Sequence, residues 1–345
     1  MTNIVAAKIK NLERLDLDIA LEKLFIKRNA LLKNRKTDHS ASYAPRPQDY
    51  VEDDPLIGEL DHDWYAQIQE ENAAVDRELL KALGALPAAD TRGAPPLGKE
   101  QVWVWGGPTP SWGGSMADDT LLRGAAYFNA ENAVYVYGPT TDKMMRLHAG
   151  FKKLVCQINS NCRSPGALAN SEEENAELLS RLSLQYPNIV GAMCDDYSTS
   201  FTNLLLPERF EKMYRALKKH NEALRLYGVI YEFELGRGKF RLVQPYIDVV
   251  NLWHWNKESI LDIDHYIALC QEDFPGKPII LGIFIHDYGC ASCGTPPELL
   301  VYQLEKAREY IHKGVVEGII ILGDREIKKW PESARAVKEH LGLKA

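Results

Sequence analysis

A chain of 345 residues, 45% hydrophobic and 26% charged, has ample material for a large buried core. Its formal charge of −7 gives no electrostatic basis for a nucleic-acid partner. No apolar stretch reaches the roughly 20 residues a membrane-crossing helix needs, and the start MTNIVAAKIKNLERLDLD lacks the apolar centre of a secretory signal, so the expectation is a cytoplasmic protein with no membrane partner.

Residues 1–98 read as a helical extension and linker, distinct from residues 99–345. Ile4 to Lys36 has helical spacing, with Leu17, Leu21, Leu24, Phe25, Leu31 and Leu32 on one face and Arg28 interrupting it. Asp38 to Pro55 is polar and proline-bearing, the composition of a linker. Asp61 to Leu86 returns to helical spacing through Trp64, Ile68, Val75, Leu79, Leu80 and Leu83. Pro87–Gly98 is a connector rich in Pro, Gly and Ala. The extension is expected to pack on the outside or bottom of the domain that follows; the alternative is an arm that forms a homodimer.

From Gln101 onward, short apolar runs alternate with helical stretches eight times. The runs are Val102–Trp105, Ala133–Tyr137, Lys153–Ile158, Asn188–Cys194, Leu224–Tyr231, Asp248–Trp253, Pro278–Ile285 and Val316–Leu322. Continuous apolar runs suit parallel strands covered on both faces. Eight such units in the 245 residues 101–345 predict an α/β fold, a closed (β/α)8 TIM barrel with an N-terminal helical extension. Helices are predicted over Ser171–Tyr186, Pro207–His220, Ile260–Phe274, Pro296–Lys313 and Pro331–Leu341, with Pro or acidic residues opening several of them. Gly236–Tyr246 is short and rich in Gly and Arg, the weakest helical signal of the series.

A barrel of this kind keeps its chemistry at the carboxyl ends of the strands. Strand 4 ends Gly191-Ala192-Met193-Cys194-Asp195-Asp196-Tyr197. With Gly191 inward, Met193 and Asp195 also face inward, and Asp196 falls at the rim. Strand 5 ends Gly228-Val229-Ile230-Tyr231-Glu232; with Gly228 inward, Glu232 lies beside Asp195 on the neighbouring strand, about 4.8 Å away. Paired carboxylates at such a spacing are what glycosidic hydrolysis uses, one protonating the leaving oxygen and one attacking or activating water. The structural alternatives are a rim acid that caps a loop or pairs with an Arg for Asp195 or Asp196, and an ion pair with Arg237 or Arg241 for Glu232.

The other strand ends carry aromatic and polar groups: Trp103, Trp105 and, beyond them, Trp112; Tyr135 and Tyr137; Gln157, Asn159 and Asn161; Asn251, Trp253, His254 and Trp255; His286, Asp287 and Tyr288; Asp324. Sugar rings pack their C–H faces on aromatic side chains and need polar partners for their hydroxyls, so Trp105, Tyr137, Asn159, Tyr197, Trp253, Trp255, His286 and Asp324 are the expected substrate-binding set. Each Trp taken singly has core packing as its alternative. No H-x-H or H-E-x-x-H pattern points to a metal, and no dinucleotide, phosphate-loop or nucleophile-elbow motif is present, so neither metal nor cofactor is expected. Cys156 and Cys194 read as buried apolar residues, while Cys162, Cys290 and Cys293 have an alternative as zinc ligands.

With the strand-4 ending Gly191–Tyr197 and the final unit Pro297-Glu298-Leu299-Leu300 to Gly318-Ile319-Ile320 in view, residues from Gln101 onward resemble the glycoside-hydrolase-like (β/α)8 superfamily, in particular bacterial members with an Asp-Asp-aromatic strand-4 ending. The chain departs from the Asn-Glu strand-4 ending of the largest retaining clan and from the D-x-x-D-x-D-x-E of chitinase-like barrels, so neither catalytic assignment carries over. The resemblance implies a glycosidase acting on a carbohydrate substrate; the catalytic candidates Asp195, Asp196 and Glu232 rest on strand geometry alone. The alternatives are a metal-dependent sugar isomerase or epimerase using Glu232, His286 and an aspartate, and a non-catalytic barrel that binds sugar or protein.

Overall fold

The computed structural model describes residues 19–20, 23–24, 26–27, 62–108, 117–159, 171–197, 205–287, 294–323 and 326–343. Trp112, Asn161, Cys162, Tyr288, Cys290, Cys293, Asp324 and most of the predicted Ile4 to Lys36 helix lie outside the described residues. The long helix α1 (His62–Ala85) precedes eight strands: β1 (Val102–Gly106), β2 (Asn132–Tyr135), β3 (Lys153–Gln157), β4 (Ile189–Cys194), β5 (Arg225–Tyr231), β6 (Val249–Trp253), β7 (Ile279–Phe284) and β8 (Val316–Leu322). Every neighbouring pair is parallel, the order follows the sequence, and β8 closes on β1 through Trp103 opposite Ile320. This is the predicted (β/α)8 barrel.

Helices α2 (Thr120–Tyr127), α3 (Asp142–Leu147), α4 (Glu172–Gln185), α5 (Pro207–Lys218), α6 (Ile263–Asp273), α7 (Pro297–His312), α8 (Glu326–Lys329) and α9 (Pro331–His340) cover the barrel. Local chemistry sets their starts. At α4 the Ser171 hydroxyl accepts from the Glu174 N–H at 3.2 Å, and the Glu174 carboxylate accepts from the Ser171 N–H at 2.8 Å, a reciprocal cap. Helices α5, α7 and α9 begin at Pro, which costs nothing where an N–H has no helical partner. After β5, where the helical signal is weakest, the chain makes turns and a short 3-10 segment, Gln244–Tyr246, instead of an α-helix.

Two apolar layers hold the barrel. Leu121, Phe128, Met145, Leu179, Phe210, Ile267 and Leu300 pack between strands and helices. Trp103, Trp105, Val155, Met193, Tyr227, Tyr231, Trp253, Phe284 and Ile320 fill the barrel itself. So many large interior side chains fit because glycines on adjacent strands make room. A Cβ at Gly282 would come within 2.0 Å of the Trp253 ring, and one at Gly191 within 2.7 Å of the Tyr227 ring. Gly191 and Met193 therefore share the inward register predicted for β4.

The β5 register is offset by one from the prediction. Tyr227, Val229 and Tyr231 face the interior, whereas Ile230 packs in the helix layer and Gly228 lies against the Tyr197 ring. Gly228 is small because an outer aromatic presses on the strand there, not because the barrel lacks space.

Helix α1 and the connector after it run along the outside of the barrel. Val75, Leu79 and Ala82 of α1 pack on Leu261 after β6 and Leu299 of α7. The connector then follows α7 downward: Asp90 N–H donates to Glu309 at 2.9 Å, and Arg308 donates to the carbonyl of Pro95 at 2.9 Å. No helix among the described residues is long and apolar enough to cross a membrane.

Candidate active site

Strand β4 delivers Asp195 and Asp196 to the carboxyl rim. Asp195 continues the inward register of Met193 and is 7% exposed. Its backbone is clamped by one side chain: Asn159 Oδ1 accepts from the Asp195 N–H at 2.8 Å, and Asn159 Nδ2 donates to the Asp195 carbonyl. Gln157 reaches the carboxyl group itself, Nε2 to Oδ2 at 3.5 Å. The opposite end of that amide is fixed, since Gln157 Oε1 accepts from the Tyr137 N–H at 3.0 Å. Tyr137 in turn accepts at its hydroxyl from the Trp105 indole N–H at 3.0 Å. The ends of β1, β2, β3 and β4 are thus one connected polar unit.

Asp196 follows with φ +45°, and Tyr137 with φ +69°. Left-handed backbone at a non-glycine residue costs about 1–3 kcal/mol and persists where the surroundings hold it, commonly at functional sites. Here the turn at Asp196 aims its carboxylate toward β5, where Oδ1 accepts from the Tyr231 hydroxyl at 2.5 Å. Tyr231 stacks on Phe233 (5.6 Å between centroids, 7° between planes) and meets Trp255 edge to face at 5.1 Å.

Burial governs the titration of both acids. It pushes the Asp195 carboxyl well above the usual aspartate range, and the neighbouring Asp196 charge adds to the rise. Burial raises Asp196 as well, with the Tyr231 hydroxyl pulling it back and the Glu234 carboxylate raising it further. Of the two, Asp195 is raised the more strongly, so it is the acid that stays protonated to higher pH.

Glu232 is placed differently from the expectation. It opens a 3-10 turn, Glu232–Glu234, at the end of β5, and its carboxylate accepts from the N–H groups of Trp255 at 2.7 Å and Asn256 at 3.3 Å. Neither Arg237 nor Arg241 is its partner in these contacts; the backbone of the β6 loop is. Burial raises its carboxyl, and the two backbone donors oppose that rise. Tyr197 also departs from its expected place: its fully buried ring packs against Phe210 and Phe240 in the helix layer. Alternation at β4 sends Cys194 outward, and the turn at Asp196 returns Tyr197 to that outer side.

Of the other expected residues, Trp105 and Trp253 are buried barrel-filling rings, 5.7 Å apart and edge to face, with Trp253 stacked on Phe284 at 4.3 Å. Trp255 and Tyr137 are half-buried at the mouth. His286 is 6% exposed on the β7 side, its Nδ1 3.7 Å from Glu326 Oε1. His254 turns away and bonds Ser259 at 2.8 Å, and burial pushes its imidazole down to about 3. Among the described residues, no three His, Cys, Asp or Glu side chains gather as a metal site.

Sequence reasoning placed Gln157 at the end of its strand without giving it a role, and missed Tyr231, Lys257 and Glu326 as members of the mouth. Tyr231 was hidden by the choice of Gly228 as inward. Gln157 was legible as the one polar residue at the end of an otherwise apolar β3.

No protein-family model matches the chain, and no curated protein matches it. Solved structures similar to it include a β-glucuronidase from Ruminococcus gnavus (TM-score 0.42, 9% identity, 63% of this chain and 44% of that one) and a GH2 β-galacturonidase from Eisenbergiella tayi (TM-score 0.44, 15% identity, 64% and 46%). A third is a GH5_18 protein from Streptomyces cattleya in complex with Manβ1-4GlcNAc (TM-score 0.44, 11% identity, 65% and 73%). The chain spans less than half the length of the two uronidases. These structural neighbours are glycoside hydrolases, and the likeness is one of fold.

Proposed function

We propose that this protein hydrolyses a glycosidic bond at the carboxyl rim of its barrel, with Asp195 as general acid and Asp196 as its ionised partner. The observation that supports this reading most directly is the Asp195–Asp196 pair itself: a buried and a half-buried carboxyl group, both raised and Asp195 the more strongly. Asp195 keeps a proton to give to the leaving oxygen. Asp196, fixed by Tyr231, offers negative charge to an oxocarbenium-like transition state or takes a proton from the attacking water. Gln157 Nε2 donates to Asp195 Oδ2 and so helps to orient the carboxyl group at the rim.

Around that pair, Trp105 and Trp253 form the floor, and Tyr137, Tyr231 and Trp255 supply aromatic faces against which a sugar ring packs. Asn159 fixes the Asp195 backbone. His286 offers a polar partner from the β7 side. Glu232 enters as the residue that holds Trp255 in place through its backbone, a positioning role in place of the direct catalytic one.

The test is a screen of 4-nitrophenyl glycosides and oligosaccharides with the parent protein, followed by Asp195→Asn and Asp196→Asn. Each substitution is expected to lower kcat/KM by about 10²–10⁴-fold, the usual worth of a positioned acid or base, with an unchanged far-UV spectrum. Undiminished turnover in both variants would overturn the assignment.

A further inference from the structure

Lys257 is a lysine whose side chain is fully buried immediately beyond the Trp255 loop. Its ammonium meets three acceptors from two other parts of the chain: Asp76 Oδ1 at 2.6 Å and Asn72 Oδ1 at 2.8 Å, both on α1, and Asp287 Oδ2 at 3.2 Å, directly after His286. Asn72 also donates to Asp76 at 3.2 Å, which orients both acceptors toward the lysine. Residues 255–257 are therefore held from two sides. Glu232 grips the Trp255 and Asn256 N–H groups from β5, and α1 grips Lys257 from outside the barrel. Below this cluster, Val75 and Leu79 seat α1 on Leu261 and Leu299.

A fully buried ammonium is stable only while its acceptors stay in place, since losing one leaves an uncompensated charge. The helix thus constrains the loop that carries Trp255 and, through Asp287, the segment that carries His286. We propose that α1, acting through Asn72, Asp76 and Lys257, is a positioning element of the rim: it fixes the aromatic and histidine side of the sugar site rather than forming a separate extension. The proposal rests on the glycosidase reading for its kinetic consequence, and on the ion cluster alone for its structural one.

Asp76 is the residue to change, because its side chain is 23% exposed and its loss leaves the barrel core untouched. In the full-length protein, Asp76→Asn is expected to speed amide hydrogen exchange severalfold across residues 253–262 and 284–287, measured well below the variant's own melting point. For a 4-nitrophenyl glycoside that the parent hydrolyses, KM should rise about tenfold, the scale of a displaced binding loop, with a smaller change in kcat. Asp76→Glu, which keeps the carboxylate, should recover most of both effects. Faster exchange confined to residues 62–85, with the two rim segments and KM unchanged, would overturn the proposal. If the parent hydrolyses no glycoside, the reading of the reaction falls, while the exchange measurement still decides whether α1 holds the rim.

Discussion

Asp195 and Asp196 make the mouth's stability depend on pH in a direction that can be worked out. The Asp195 carboxyl is raised in the folded state, so between the ordinary aspartate range and that raised value the native protein holds a proton the unfolded chain has given up. The contribution to stability is full below the ordinary range and is lost as pH rises through the native value. Asp195→Asn cannot ionise and should therefore melt higher than the parent near neutral pH, with the gap closing toward pH 4; melting curves across that range check it. Tyr231 acts on the partner acid. Its hydroxyl pulls Asp196 down, so Tyr231→Phe should move the acidic limb of the pH–rate profile to higher pH without removing activity. The two aspartates were legible because adjacent acids ending an apolar run need a reason. Their pairings were not, because Gln157 and Tyr231 reach the two acids only when β3 and β5 take their registers.

At the scale of elements, strands read well and registers read unevenly. Each apolar run became a strand within two residues of its predicted ends, since burial on both faces requires continuous apolar sequence. Glycine was a sound guide to the interior on β4, where Tyr227 lies over Gly191; on β7 Trp253 fills the space over Gly282 in the same way. It misled on β5, where the aromatic pressing on Gly228 comes from outside. The distinction lies in which neighbour fills the missing Cβ, a fact of packing that one strand's sequence does not carry. Gly282→Ala tests this filling scheme. A methyl group there meets the Trp253 ring at 2.0 Å, so Trp253 must move and disturb its stacking with Phe284. The expected cost is about 1–3 kcal/mol, typical of overpacking, read as a lower melting point with altered near-UV bands and an unchanged far-UV spectrum.

Across the whole molecule, the two ends of the barrel differ in what they demand of their charges. The carboxyl rim buries Asp195, Glu232, His286, Lys257 and Asp287, each within reach of specific partners. At the opposite end, Arg225 opens β5 and Glu317 sits in the irregularity where the β7–β8 register shifts. Their side chains meet across the barrel floor at 3.1 Å although β5 and β8 are not neighbours. This pair is 34% and 46% exposed, so water screens it and its worth is about 0–1 kcal/mol despite the double contact. Sequence reading placed its candidate residues at the carboxyl end because barrel architecture dictates it, but it could not see the floor pair, whose members lie 92 positions apart. The expected contrast is therefore sharp. Arg225→Ala should leave the kinetics of the parent unchanged and shift the melting point slightly, while the same loss of one charge at Asp76 alters the rim. Equal kinetic damage from both substitutions would mean that the barrel transmits strain end to end, and that the functional asymmetry drawn from burial is mistaken.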